Sequence, residues 1–167
     1  MTDGRGWQRL ALIVGVGILG VLAPGAALAK GKLKGTFGDE VFKARKVLVT
    51  CAYTRSIEFF TIAGAQVKRG RQRAVGIAGT GPDPTSPGAT FPVVLTDGSV
   101  SFGSGPIKNP SDFATWSGLD DAVTITLTGY KTGKIIGTMT GTLQPILGPA
   151  TGAIPASVTF AVKCLVL

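Results

Sequence analysis

Histidine is absent from the 167 residues, asparagine occurs once and cysteine only twice. Without imidazole the chain lacks the commonest general base and the commonest metal ligand. The lone Asn109 is followed by Pro110, which rules out an N-linked glycan. Cys51 and Cys164 lie far apart, so neither a C-x-x-C redox pair nor a Cys/His zinc cluster exists. Nucleophile motifs are missing too: there is no G-x-S-x-G, no S-D-N, and no serine with lysine three positions on. Lys131-Thr132-Gly133 therefore stands alone as a turn rather than as part of a penicillin-recognising site. Acids number only nine. Asp39-Glu40 and Asp120-Asp121 are turn neighbours, not a pair facing across a cleft, and Asp83, Asp97 and Asp112 are isolated. No calcium-loop pattern occurs, and neither a catalytic residue, a metal nor a cofactor is expected.

The chain does carry a leader-like start. Arg5 and Arg9 precede an uncharged apolar run, Leu10 to Leu22, then Pro24-Gly25 and the small-x-small triplet Ala27-Leu28-Ala29. This predicts a signal-peptide helix over 1–29 and a single mature domain over 30–167. The alternative, an uncleaved membrane anchor, is disfavoured because the run falls short of the roughly 18 to 20 apolar residues a span needs. Gly15-Val16-Gly17-Ile18-Leu19-Gly20 matches a dinucleotide fingerprint. Pro24-Gly25 would end its helix within a turn, and no βαβ unit follows.

From Lys30 onward the hydrophobic pattern has period two, interrupted by turn residues, and no long window shows a helical stripe. Val123, Ile125 and Leu127 alternate with Thr124, Thr126 and Thr128, and Val158, Phe160, Val162 and Cys164 share one face of a closing strand. Turns are expected at Gly38-Asp39-Glu40, Lys68-Arg69-Gly70-Arg71, Asp97-Gly98 and Lys131-Thr132-Gly133. Residues 79–90 and 104–121 read as irregular, and Gly137 and Gly141 suggest a bend or bulge. About nine strands spaced this way predict an all-β fold, an antiparallel two-sheet β-sandwich with a closed β-barrel as the alternative. Cys51 and Cys164 fall on inward faces in a chain bound for an oxidising compartment, which predicts a disulfide; two separate buried thiols are the alternative.

Lys and Arg total 17, and without Arg5 and Arg9 fifteen remain against eight acids. Ten fall in two stretches: Lys68, Arg69, Arg71 and Arg73, and the group Lys30, Lys32, Lys34, Lys43, Arg45 and Lys46. Such clusters attract anionic envelope polymers, glycans or headgroups in a salt-sensitive way. Nucleic acid is not expected, because aromatic rings are not interleaved with the cations. A sugar site would have to use Trp116 with Asp120 and Asp121, although a lone loop tryptophan more often covers the end of a core.

Gly35-Thr36-Phe37 with Val41-Phe42-Lys43-Ala44, the strand Ile57 to Ile62, Gly137-Thr138-Met139-Thr140-Gly141-Thr142-Leu143 and the closing Thr159-Phe160-Ala161-Val162 together resemble uncharacterised bacterial exported β-sandwich domains. The resemblance implies fold and export, and no activity. The expectation is a non-enzymatic, secreted or periplasmic structural or binding module. Lys68, Arg69, Arg71 and Arg73 are its candidate anion-binding residues, and Trp116, Asp120 and Asp121 form the alternative carbohydrate site.

Overall fold

The structure is a computed structural model and describes residues 31–45 and 49–167. The expected signal-peptide helix lies outside these residues. The chain forms β1 (Gly31–Phe37), β2 (Glu40–Arg45), β3 (Val49–Thr54), β4 (Phe59–Lys68), β5 (Arg71–Thr80), β6 (Val93–Val94), β7 (Thr96–Pro106), β8 (Ala114–Leu119), β9 (Val123–Lys131), β10 (Lys134–Leu147), β11 (Ile154–Val162) and β12 (Leu165–Val166). Its only described helical turns are single 3-10 turns such as Arg55–Ile57 and Asp120–Ala122. The all-β expectation holds.

The two separate sheets of a sandwich do not form, and neither does a closed barrel. All twelve strands belong to one hydrogen-bonded sheet, ordered β12-β3-β4-β5-β7-β8-β10-β11-β1-β2, with β9 and β6 branching from β10. The reason lies in β10, whose fourteen residues are long enough to serve two neighbours along one edge. Lys134 to Gly141 pairs with β9, and Gln144 to Leu147 pairs with β8. Hydrogen bonding therefore runs unbroken from one arm, β3 to β8, into the other, β9 to β11 with β1 and β2. The sheet curls into an open half-barrel whose main path ends on β12 and β2, with β6 a further edge beyond β9.

Curling brings the inner faces together. Phe37 of β1 stacks on Phe102 of β7 with ring centroids 4.1 Å apart, and Phe60 of β4 meets Phe160 of β11 at 6.0 Å. Leu33, Phe42, Ile62, Ile77, Ile125 and Met139 are among the fully buried side chains. Where β1 and β2 close over β4, Gly64 leaves the room they need: a Cβ there would lie 2.5 Å from Leu33 Cδ2 and 3.3 Å from Phe42 Cζ.

The expected Asp97-Gly98 hairpin is not formed. Both residues lie inside β7, at a register shift between Ala78 and Thr80 of the neighbouring strand, with Asp97 at φ 49°. Positive φ suits a bulge as well as a turn. β6 before it pairs with β9 while β7 pairs with β5, so the chain changes arms at this point instead of reversing. Residues 104–121, expected to be irregular, hold the end of β7 and all of β8. The turns at Arg69-Gly70 and Thr132-Gly133 form as expected, each with two consecutive positive φ values. Gly137 stands at a register shift between β10 and β9, as its bend signal suggested.

The last strand also differs from expectation. β11 stops at Val162, Lys163 and Cys164 cross between arms, and β12 pairs parallel with β3. Cys164 is bonded to Cys51 at this crossing, with Cα atoms 4.5 Å apart and a sequence separation of 113. In the chain-entropy picture a loop of that length stabilises the fold by about 4 to 5 kcal/mol.

Candidate anion-binding surfaces

The four cations expected to act together are split by the fold. Arg71 and Arg73 belong to β5, and across the curl they meet Glu40, the first residue of β2. Arg73 Nε donates to Glu40 Oε2 in a short contact, and Arg71 Nη2 donates to Oε1 at 3.3 Å. Ser104 of β7, itself buried, donates from Oγ to both carboxylate oxygens at 2.9 and 3.1 Å and accepts from Arg71 Nη2 at 3.2 Å. Burial by itself would raise the Glu40 carboxyl. Hydrogen bonds from Arg73 and Ser104, with the charges of Arg73 and Arg71, outweigh it and hold the group below its ordinary value of 4.5. Two of the four positive charges are thus tied to an acid that ties β2 to β5 and β7.

Lys68 and Arg69 remain exposed at the β4–β5 turn, where Arg69 adopts φ 52° and Gly70 φ 72°. A second ion pair, Arg55 Nε to Asp83 Oδ2 at 2.8 Å, lies by the loop after β5. Thr85 adds bonds to Asp83 from its backbone N and its Oγ1. Burial would raise Asp83, but the Thr85 bonds and Arg55 hold it low.

The other basic stretch forms a surface. The tight turn at Gly38-Asp39 fixes the β1–β2 register so that Lys34 lies directly opposite Lys43 and Lys32 opposite Arg45. Lys32, Lys34 and Lys43 point away from the core, and among the described residues no acid reaches ion-pair distance of them. Like charges opposite one another on a sheet are destabilising by a few tenths to about 1 kcal/mol. Hydroxyls extend the surface strand by strand. One cross-strand row runs Thr126, Thr138, Thr159, Lys34, Lys43, and the next runs Thr124, Thr140, Ser157, Thr36, Val41. With strands about 4.8 Å apart, each row spans roughly 19 Å. The lysines were visible in the sequence as a cluster. Their apposition follows from the two-residue turn, because 34 and 43 are equidistant from it; the hydroxyl rows depend on pairings between distant strands and carry no local signal.

Trp116 sits on β8 with its ring against Phe102 at 5.9 Å, and its indole N–H donates to the Gly152 carbonyl at 3.2 Å. Asp120 and Asp121 are exposed on the 3-10 turn after β8. Asp120 lies four positions along from Trp116 at the end of extended chain, about 13 Å away. Among the described residues no group of three or more His, Cys, Asp or Glu side chains is placed to hold a metal ion. Comparison with protein-family models, curated proteins and solved structures returned no match to this chain.

Proposed function

We propose that this protein is an exported, non-catalytic module of the bacterial envelope that binds anionic polymers through the outer face of β1 and β2. The observation that carries this reading is the Lys34–Lys43 apposition, with Lys32 beside it and no compensating acid among the described residues. A sheet left to its own stability would place an opposite charge there, and a bound polyanion relieves the repulsion. The Thr and Ser rows next to the lysines offer donors and acceptors to the sugar hydroxyls of a phosphate- or sulfate-bearing glycan. Export is argued from the leader-like start and agrees with the Cys51–Cys164 bond, since disulfides persist in oxidising compartments. Among the described residues no helix is long and apolar enough to cross a membrane.

Salt elution from immobilised heparin tests the face. Lys32→Ala, Lys34→Ala and Lys43→Ala combined should elute at clearly lower salt than Lys131→Ala, Lys134→Ala and Lys163→Ala combined, which removes the same charge elsewhere. Equal shifts would mean that net charge alone is sensed, and the reading fails. The carbohydrate alternative at Trp116 would be favoured instead if retention on a neutral glycan array vanished in Trp116→Ala and survived in the lysine triple variant.

A further inference from the structure

One end of the half-barrel combines cations with solvent-exposed aliphatic side chains. Val67 is 64% exposed, Leu147 54%, Ile146 49% and Ile107 45%. They come from distant parts of the chain, and the strand order β4-β5-β7-β8-β10 brings them to one end of the sheet. The β4–β5 turn abuts the end of β7, where the Ile107 N–H donates to the Gly70 carbonyl at 3.0 Å. The loop leaving β7 folds back so that Phe113 packs over Gly105, the Gly148 Cα abuts the Phe113 carbonyl, and Leu147 pairs with Thr115. Lys68, Arg69 and Lys108 are exposed among these residues. The one acid within this loop, Asp112, accepts a hydrogen bond from Asn109 Nδ2 at 3.3 Å.

The outer face of the same arm, running away from this end, carries no charge along its cross-strand rows. One row reads Ala65, Ala74, Gly103, Thr115 and ends on Leu147, with Gly103 under the Phe113 ring and Thr115 buried; the next, half-exposed, reads Thr50, Ala63, Gly76, Ser101, Ser117. A surface approaching here would not have to strip water from buried ions.

We propose that this end docks on a lipid bilayer with anionic headgroups. Val67, Ile107, Ile146 and Leu147 enter the boundary between headgroups and acyl chains, while Lys68, Arg69 and Lys108 extend their charged ends to the headgroup phosphates. The aliphatic side chains decide the partner. A dissolved polyanion would engage the three cations and leave four apolar groups in water, and a second copy of the same end would bring like charges together. A bilayer surface satisfies both at once. This site is separate from the Lys32, Lys34 and Lys43 face, so the two proposals stand or fall independently.

Co-sedimentation of the full chain with vesicles tests it, using phosphatidylcholine alone and phosphatidylcholine mixed with phosphatidylglycerol. Residues 1–30 are common to every variant, so differences between variants report this end. The wild type should bind the mixed vesicles more tightly than the neutral ones. Lys68→Ala with Arg69→Ala should lower binding to mixed vesicles about 25-fold, roughly fivefold per cation. Val67→Ser with Ile107→Ser should weaken binding about tenfold and make the remainder fully salt-reversible. Lys131→Ala with Lys163→Ala, the same loss of charge at the opposite end, should leave vesicle binding nearly unchanged. No preference for mixed vesicles in the wild type, an aliphatic double variant that binds like wild type, or an equal loss in the Lys131/Lys163 variant would each overturn the proposal. All substituted positions are exposed, and unchanged β-sheet circular dichroism confirms that the variants fold.

Discussion

Arg71 and Arg73 on β5 and Lys34 and Lys43 on the β1–β2 hairpin look alike in the sequence, as members of short basic clusters, yet the fold uses them in opposite ways. Glu40 reaches Arg71 and Arg73 across the curl, and Ser104 completes the hydrogen bonding, so that pair of cations holds β2 against β5 and β7. Lys34 and Lys43 face each other and water, with no acid at ion-pair distance among the described residues. Clustering in sequence is therefore a poor guide to which cations can meet a ligand. What counts is whether an acid distant in sequence is brought within about 4 Å.

Removing the acid should convert the first pair into something like the second. Glu40→Ala leaves Arg73, whose side chain is only 16% exposed, beside an emptied site and is expected to destabilise the fold by about 2 kcal/mol, read by urea denaturation. The same variant should be retained more strongly on heparin, because two cations are released; unchanged stability and unchanged retention together would show that the clip holds nothing. Acid should produce part of this loss in the wild type. A carboxyl held below its ordinary value contributes stability that is fully present above 4.5 and is lost as pH falls through the lower, folded-state value. The acid limb of a stability-against-pH curve should therefore flatten in Glu40→Gln.

Ser104→Ala removes one neutral donor and leaves both arginines in place, so a loss of about 1 kcal/mol is expected from the same urea measurement. The smallest effect has the opposite sign. Lys34→Glu gives Lys43 a partner directly across the strand pair and should raise stability by about 0.5 kcal/mol, while heparin retention falls by more than one charge reversal at Lys131 would cause. A Lys34→Glu variant that is less stable than wild type would mean the apposed lysines are not in tension, and the second half of the comparison would fail.

Legibility in the sequence follows the same division. The strand β9 is clear because Val123, Ile125 and Leu127 are buried with threonines between them, a period set within one segment. The turns at Arg69-Gly70 and Thr132-Gly133 are clear because each needs two consecutive positive φ values in the space of two residues. Asp97-Gly98 carries the same local signal and makes a bulge instead. Leu95, two residues earlier, donates its N–H to the Ile125 carbonyl in the other arm, and that long-range bond prevents reversal. Of the candidate sites, Lys68 and Arg69 could be placed at a turn tip from sequence. The capture of Arg71 and Arg73 could not, because Glu40 lies more than thirty residues away and reads as an ordinary turn acid.

The sequence by itself determined strand character, tight turns, basicity and the absence of imidazole chemistry, since each follows from residue types within a few positions of one another. Tertiary structure alone decided that β10 would pair with β8 and β9 along one edge and so make one curled sheet. It also decided which cations are neutralised and which aliphatic side chains share an end with Lys68 and Arg69. Those outcomes rest on pairings between strands far apart in the chain, and no local pattern of side chains records which distant strand will be the neighbour.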